Sequence, residues 1–160
     1  MQTAPKYSVD TSALIHAWRR SYPIRNFRPV WDRLDTLIDA DRLFSSKEVF
    51  LELKKQDDEL FDWCKDRERM FVDIDGDSFQ ENMAHVMGTY PRLVDTRKNK
   101  SGADPFVIVV ALSSNPPLVV VTQEGATGNL AKPNIPDVCT AEGVECINIL
   151  DLIVREDWIL

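Results

Sequence analysis

Apolar positions along the chain fall into short runs of β character separated by longer stretches with helical spacing. Tyr7-Ser8-Val9 reads as a brief strand that stops at Asp10, and Ala13, Leu14, Ala17 and Trp18 then mark one face of a helix. Pro29 is placed to open a second helix whose buried face carries Trp31, Leu34, Leu37 and Ile38. Leu43-Phe44 predicts the next strand. Ser45 and Glu48 stand at capping-box spacing, so a helix is expected to begin there, with Val49 and Leu53 as its first apolar pair. Leu60, Phe61 and Cys64 continue a helical pattern, and Phe71-Val72-Asp73-Ile74 alternates like a strand. Beyond Asp77, the spacing of Phe79, Met83, Val86, Met87 and Tyr90 predicts an amphipathic helix that ends before Pro91.

The run Phe106 to Leu112 is rich in β-branched residues and, with Leu118 to Val121 downstream, reads as one arm of a hairpin. Asp104 followed by Pro105 is a strong helix opening, however, an acidic N-cap with proline at the first helical position. The favoured reading is a buried helix, a loop, and then a strand over Leu118 to Thr122. Glu145 to Ile149 is the last expected strand and Leu150 to Val154 a final helical turn. No linker, repeat or break in composition divides the chain. Strands alternating with helices argue for an α/β fold with a mainly parallel sheet.

Composition narrows the class. Of 160 residues, 44% are apolar and 28% charged, as in ordinary globular proteins, and 19 basic against 26 acidic residues give a net charge of −7. The longest apolar run, Phe106 to Leu112, falls far short of the ~20 residues that span a bilayer. Nothing near the N-terminus resembles a signal peptide, so a cytoplasmic protein without a membrane partner is expected. Cys64, Cys139 and Cys146, together with His16 and His85, lack the grouping that zinc or a disulfide framework needs. An acidic chain also argues against broad, charge-driven binding to nucleic acid.

Three acids fall at element ends on one side of the expected sheet: Asp10 after the first strand, Asp104 opening a helix, and Glu124 just past Val121-Thr122. In an open parallel sheet such positions converge on one crevice. Glu52 joins them if the helix beginning near Ser46 packs beside it. Clustered carboxylates repel one another unless a cation neutralises them. Oxygen donors without His or Cys suit Mg²⁺ or Mn²⁺, and such a site suits phosphodiester hydrolysis.

Four patches, Val9-Asp10-Thr11-Ser12-Ala13-Leu14-Ile15, Glu48-Val49-Phe50-Leu51-Glu52-Leu53, Gly102-Ala103-Asp104-Pro105-Phe106-Val107-Ile108 and Val120-Val121-Thr122-Gln123-Glu124, occur in the order seen in the PIN-domain family. The chain resembles that family, whose members include VapC-type ribonuclease toxins. The resemblance implies a single three-layer α/β/α domain over residues 1–160. It also implies that Asp10, Glu52 and Asp104 hold the Mg²⁺ or Mn²⁺ and that Glu124, where the family usually has aspartate, serves as a fourth acid. Ser12 and Thr122 match hydroxyl positions that orient the acids, and Glu48 is the rival to Glu52. The implied activity is metal-dependent endoribonuclease cleavage of RNA to a 5′-phosphate and a 3′-hydroxyl. A toxin role with a protein antitoxin follows, and a homodimer is compatible with it.

Basic residues cluster at Arg19, Arg20, Arg25, Arg28 and Arg33, and again at Arg92, Arg97, Lys98 and Lys100. The second cluster leads into Asp104, so Lys98 and Lys100 are candidate contacts to a substrate backbone. Either cluster also suits a solvated face or an antitoxin surface. Asp73-Ile74-Asp75-Gly76-Asp77 resembles the nucleophile motif of haloacid-dehalogenase-type phosphatases, but no matching acidic pair lies downstream. A solvated turn before the next helix is the favoured reading, with a phosphatase at Asp73 and a non-catalytic, partner-binding PIN-like scaffold as alternatives. A DNA nuclease remains a variant of the ribonuclease reading.

Overall fold

The computed structural model describes residues 4–56, 58–94 and 102–160. Its sheet has five short strands: β1 (Tyr7–Val9), β2 (Leu43–Ser46), β3 (Phe71–Val72), β4 (Val119–Val121) and β5 (Cys146–Ile147). They lie in the order β3-β2-β1-β4-β5 and every pairing is parallel. Parallel neighbours require crossover connections. The helices α1 (Thr11–His16), α2 (Ile24–Asp39), α3 (Lys47–Lys54), α4 (Glu59–Lys65), α5 (Asp77–Thr89), α6 (Asp104–Leu112), α7 (Ile135–Glu142) and α8 (Ile149–Arg155) flank this sheet. The α/β architecture expected from the pattern is therefore the one observed.

β1 is central. Tyr7 pairs with Leu43 on one side and Val119 on the other, and all three β1 residues are buried. Ser8 sits among apolar neighbours and satisfies its hydroxyl by donating to the Val107 carbonyl at 2.9 Å. Ser45 donates to the Val9 carbonyl at 2.6 Å, linking β2 to β1.

The ambiguous segment is helical. In α6, Val107 to Ala111 are all buried, and the helix packs against β1, β2 and β4 as well as α5 and α7. A helix apolar on every side is stable only when surrounded. Its β-branched residues carry a strand signal, but burial and the Asp104-Pro105 opening decide the outcome. The helix includes Asp104 as its first residue, with Ala103 rather than Asp104 at the cap.

Other boundaries shift for local reasons. The N-cap of α3 is Ser46, not Ser45: Ser46 has an extended backbone and its hydroxyl accepts from the Val49 N–H at 3.2 Å, whereas Ser45 is committed to Val9. Glu48 therefore belongs to no capping box. α2 begins at Ile24, before Pro29, but breaks at Phe27 (φ −128°, ψ 39°). The proline thus falls where the helical ladder is already interrupted, and the expected face of Trp31, Leu34, Leu37 and Ile38 is buried beyond it. The strands expected over Phe71–Ile74, Leu118–Thr122 and Glu145–Ile149 are trimmed to their paired centres.

Trp31 lies edge-on between Trp18 and Trp63, with ring centroids 4.8 and 5.0 Å away, and its indole N–H donates to the Tyr22 carbonyl at 2.7 Å. These contacts fix a π-helical turn, Ala17–Ser21, that follows α1. Among the described residues no helix is long and apolar enough to cross a membrane, and all three cysteines are free thiols.

Candidate functional site

Asp10 follows β1 and is 2% exposed. Its backbone N–H donates to the Val121 carbonyl at 3.0 Å, extending the β1–β4 ladder by one residue. That register places Asp10 beside Thr122, whose hydroxyl donates to Asp10 Oδ2 at 2.7 Å. Ser12 Oγ lies 2.9 and 3.0 Å from the two carboxylate oxygens and 3.2 Å from Thr122 Oγ1. As N-cap of α1, Asp10 also accepts from the Ala13 N–H at 2.9 Å. Both hydroxyls that the sequence singles out are therefore on this carboxylate.

Burial pushes the Asp10 carboxyl up, and the bonds from Ala13, Thr122 and Ser12 pull it only part of the way back. The nearby charge of Glu124 adds to the rise, and the result is about 7. Glu124 is the next acid along β4's exit. Its N–H donates to Thr122 Oγ1 at 3.1 Å, while its Oε2 accepts from the Ile135 N–H at 3.0 Å at the start of α7. Glu52 on α3 accepts from Thr11, the residue after Asp10, at 3.4 Å. Glu48 lies elsewhere on α3, lining a small cavity of about 70 Å³ with Val72, Asp73 and Phe106.

Asp104 is 4% exposed, in the first turn of α6. α6 ends where β4 begins, the Leu118 N–H donating to the Ala111 carbonyl at 3.0 Å, so its first turn points toward the C-terminal strand edge, where β1 delivers Asp10. The Ser8–Val107 bond sets the level: Val107 is one turn past Asp104 (roughly 4.5 Å of helix), and Ser8 is two residues before Asp10 (roughly 6.6 Å of strand). Both acids thus sit at the same end of the sheet and inside the fold. The oxygen-only donor set and the charge crowding at Asp10 fit Mg²⁺ or Mn²⁺. Among the described residues, no three Asp, Glu, His or Cys side chains are gathered as a ready ligand group.

Sequence reasoning overlooked α7 and its Asp137. Asn134 and Asp137 form a capping box, and Gly143, in the left-handed conformation (φ 72°), closes the helix. The buried Asp137 carboxylate also accepts from the N–H groups of Thr127, Gly128 and Asn134 and from the Thr127 hydroxyl. The Asn134-to-Asp137 spacing was the available signal. Burial pushes Asp137 up, but the bonds from Thr127, Asn134 and Gly128 outweigh it and leave it below the usual carboxylate range. This organises the loop between Glu124 and α7. Asp137→Ala is expected to cost on the order of 3 kcal/mol in urea unfolding near neutral pH. Because the folded carboxyl is depressed, that contribution is present above the unfolded value of about 4 and lost as pH falls below it.

Elsewhere the sequence motifs are scattered. Asp73, Asp75 and Asp77 are exposed, in a turn where Gly76 (φ 104°) caps α5 without side-chain help. Arg25, Arg28 and Arg33 are exposed on α2. Lys98 and Lys100, like Arg97, lie outside the described residues.

The fold is an α/β domain with a parallel sheet, in which Asp10 and Asp104 are buried, Glu124 lies near Asp10 and Glu52 bonds to the residue after it. The chain belongs to a family described as a domain of unknown function, DUF4411, whose family model matches residues 7–160. No curated protein matches the sequence.

Proposed function

We propose that this chain is a cytoplasmic Mg²⁺- or Mn²⁺-dependent endoribonuclease, the toxin of a toxin–antitoxin pair. One observation carries the reading: a buried aspartate at the exit of the central strand, held by two hydroxyls, its carboxyl pushed up by burial and to a lesser degree by Glu124. A carboxyl poised in this way is a mark of functional sites. The family resemblance supplies the substrate and the antitoxin. Asp10, Glu52 and Asp104 would hold the cation, with Glu124 as the fourth acid. A bound cation acidifies a water and offsets phosphate charge. Ser12 and Thr122 fix the orientation of the Asp10 oxygens, and the buried position of Asp104 and Asp10 excludes bulk solvent from their inner faces. Hydrolysis adds water across the P–O3′ bond, leaving a 5′-phosphate and a 3′-hydroxyl.

The test is expression of wild type beside Asp104→Asn in a bacterial host, with RNA cleavage followed in parallel. Wild type is expected to arrest growth and cleave RNA, and the variant to lose more than about a hundredfold of the cleavage rate. Equal harmlessness and equal lack of cleavage would contradict the reading. A scaffold that binds a partner without turnover is the second reading. It is favoured by the Glu124 carboxylate, one oxygen of which accepts from the Ile135 N–H at the start of α7.

A further inference from the structure

An open groove of about 480 Å³ runs beside the acids, lined by Ser12, Ile15, His16, Arg19, Arg20, Gln123 and Glu124. Two of these, Ser12 and Glu124, belong to the site already described. The wall formed by α1 and the turn after it carries Ser12, His16, Arg19 and Arg20, so it is cationic beyond Ser12, although the chain as a whole is acidic. Arg19 and Arg20 are adjacent because the π-helical turn Ala17–Ser21 carries them, and π-turns recur at functional positions. Arg19 is held: its Nη2 donates to Gln56 Oε1 at 2.6 Å and to Asp58 Oδ2 at 2.8 Å. Arg20 is exposed on the same wall. Nδ1 of His16 lies 3.0 Å from Ser21 Oγ, leaving Nε2 as the ring's other polar atom.

We infer that this groove receives a single-stranded phosphodiester backbone, with Arg20 as the principal phosphate contact and Arg19, fixed by its ion pair with Asp58, beside it. The inference rests on the nuclease reading and deepens it. A guanidinium matches phosphate oxygens bidentately, and an open groove admits a polymer strand. The Trp18–Trp31–Trp63 stack behind the turn holds the cationic wall in place. Arg20 also bears on the objection raised by the net charge, because the strand would meet a positive charge beside the acids. Arg25 is exposed on α2 but does not line the groove, so it serves as a control.

The experiment is fluorescence anisotropy of a short labelled single-stranded oligoribonucleotide, and of its deoxy counterpart, on the full chain with a chelator present, across a salt series. Arg20→Ala is expected to bind about tenfold more weakly. The slope of log affinity against log salt should fall by about 0.7. Arg25→Ala should bind as wild type does, and Arg20→Lys should recover part of the affinity. The RNA and DNA arms show which strand the groove takes, and Arg20 dependence in either supports the assignment. If wild type cleaves through Asp10 while Arg20→Ala binds with unchanged affinity and slope, the groove assignment is overturned and the nuclease reading stands. If wild type neither binds nor cleaves either strand, the nuclease reading falls and this inference falls with it.

Discussion

Asp10→Asn is expected to abolish cleavage and, in the same protein, to raise stability at and above neutral pH. The two effects have one origin. In the folded chain the Asp10 carboxyl titrates near 7 because it is buried beside Glu124, against an ordinary value of 3.8. Between those values the folded state binds the proton and the unfolded state does not. Stability therefore falls as pH rises through this window, by on the order of 4 kcal/mol once Asp10 is ionised. Asparagine carries no charge at any of these pH values and keeps an oxygen for the Ala13 N–H, while Ser12 and Thr122 can accept from its amide. In urea unfolding with a chelator present, the variant should match wild type near pH 4 and exceed it above pH 7. A wild type whose stability is flat across that range would contradict the electrostatic account of the site.

Trp31→Ala is expected to have the largest effect on folding. The ring is buried, packs edge-on against Trp18 and Trp63, and donates to the Tyr22 carbonyl. Truncation opens a cavity and leaves that carbonyl without its partner, for a loss of roughly 3–5 kcal/mol in urea unfolding. Trp31→Phe keeps most of the aromatic packing and should cost about half as much. Because the π-turn, α2 and α4 meet at this ring, the alanine variant should also weaken strand binding in the Arg19–Arg20 groove under conditions where it remains folded.

The sequence was most informative where a single element fixes the outcome. Val49 with Leu53, the face of α2 beyond Pro29, and the proline-opened helix at Asp104 are local patterns, and each is buried as its spacing requires. What escaped is set by partners distant in the chain. The choice of Ser46 over Ser45 as cap depends on the Val9 carbonyl that occupies Ser45, which is visible only once β1 and β2 are paired. Asp10 meets Thr122 because Val9 pairs with Val121, a register no spacing reveals. α7 opens among prolines: Pro133 stands just before its Asn134 cap and Pro136 lies in its first turn, where a missing N–H costs little. Glu124 illustrates the limit most clearly: its place after β4 was legible, but its bond to Ile135 depends on that overlooked helix.

The central claim is that Asp10 and the acids around it form a binding site for a hard divalent cation. Calorimetric titration of Mn²⁺ into wild type and Asp10→Asn, at a pH just below 7 and again well above it, tests this directly. Wild type should bind Mn²⁺ more tightly at the higher pH, with proton release at the lower one as the cation displaces the proton from Asp10. Asp10→Asn should lose at least tenfold in affinity and all of that proton release. Equal Mn²⁺ binding by the two proteins, or no binding by wild type at either pH, would contradict the account.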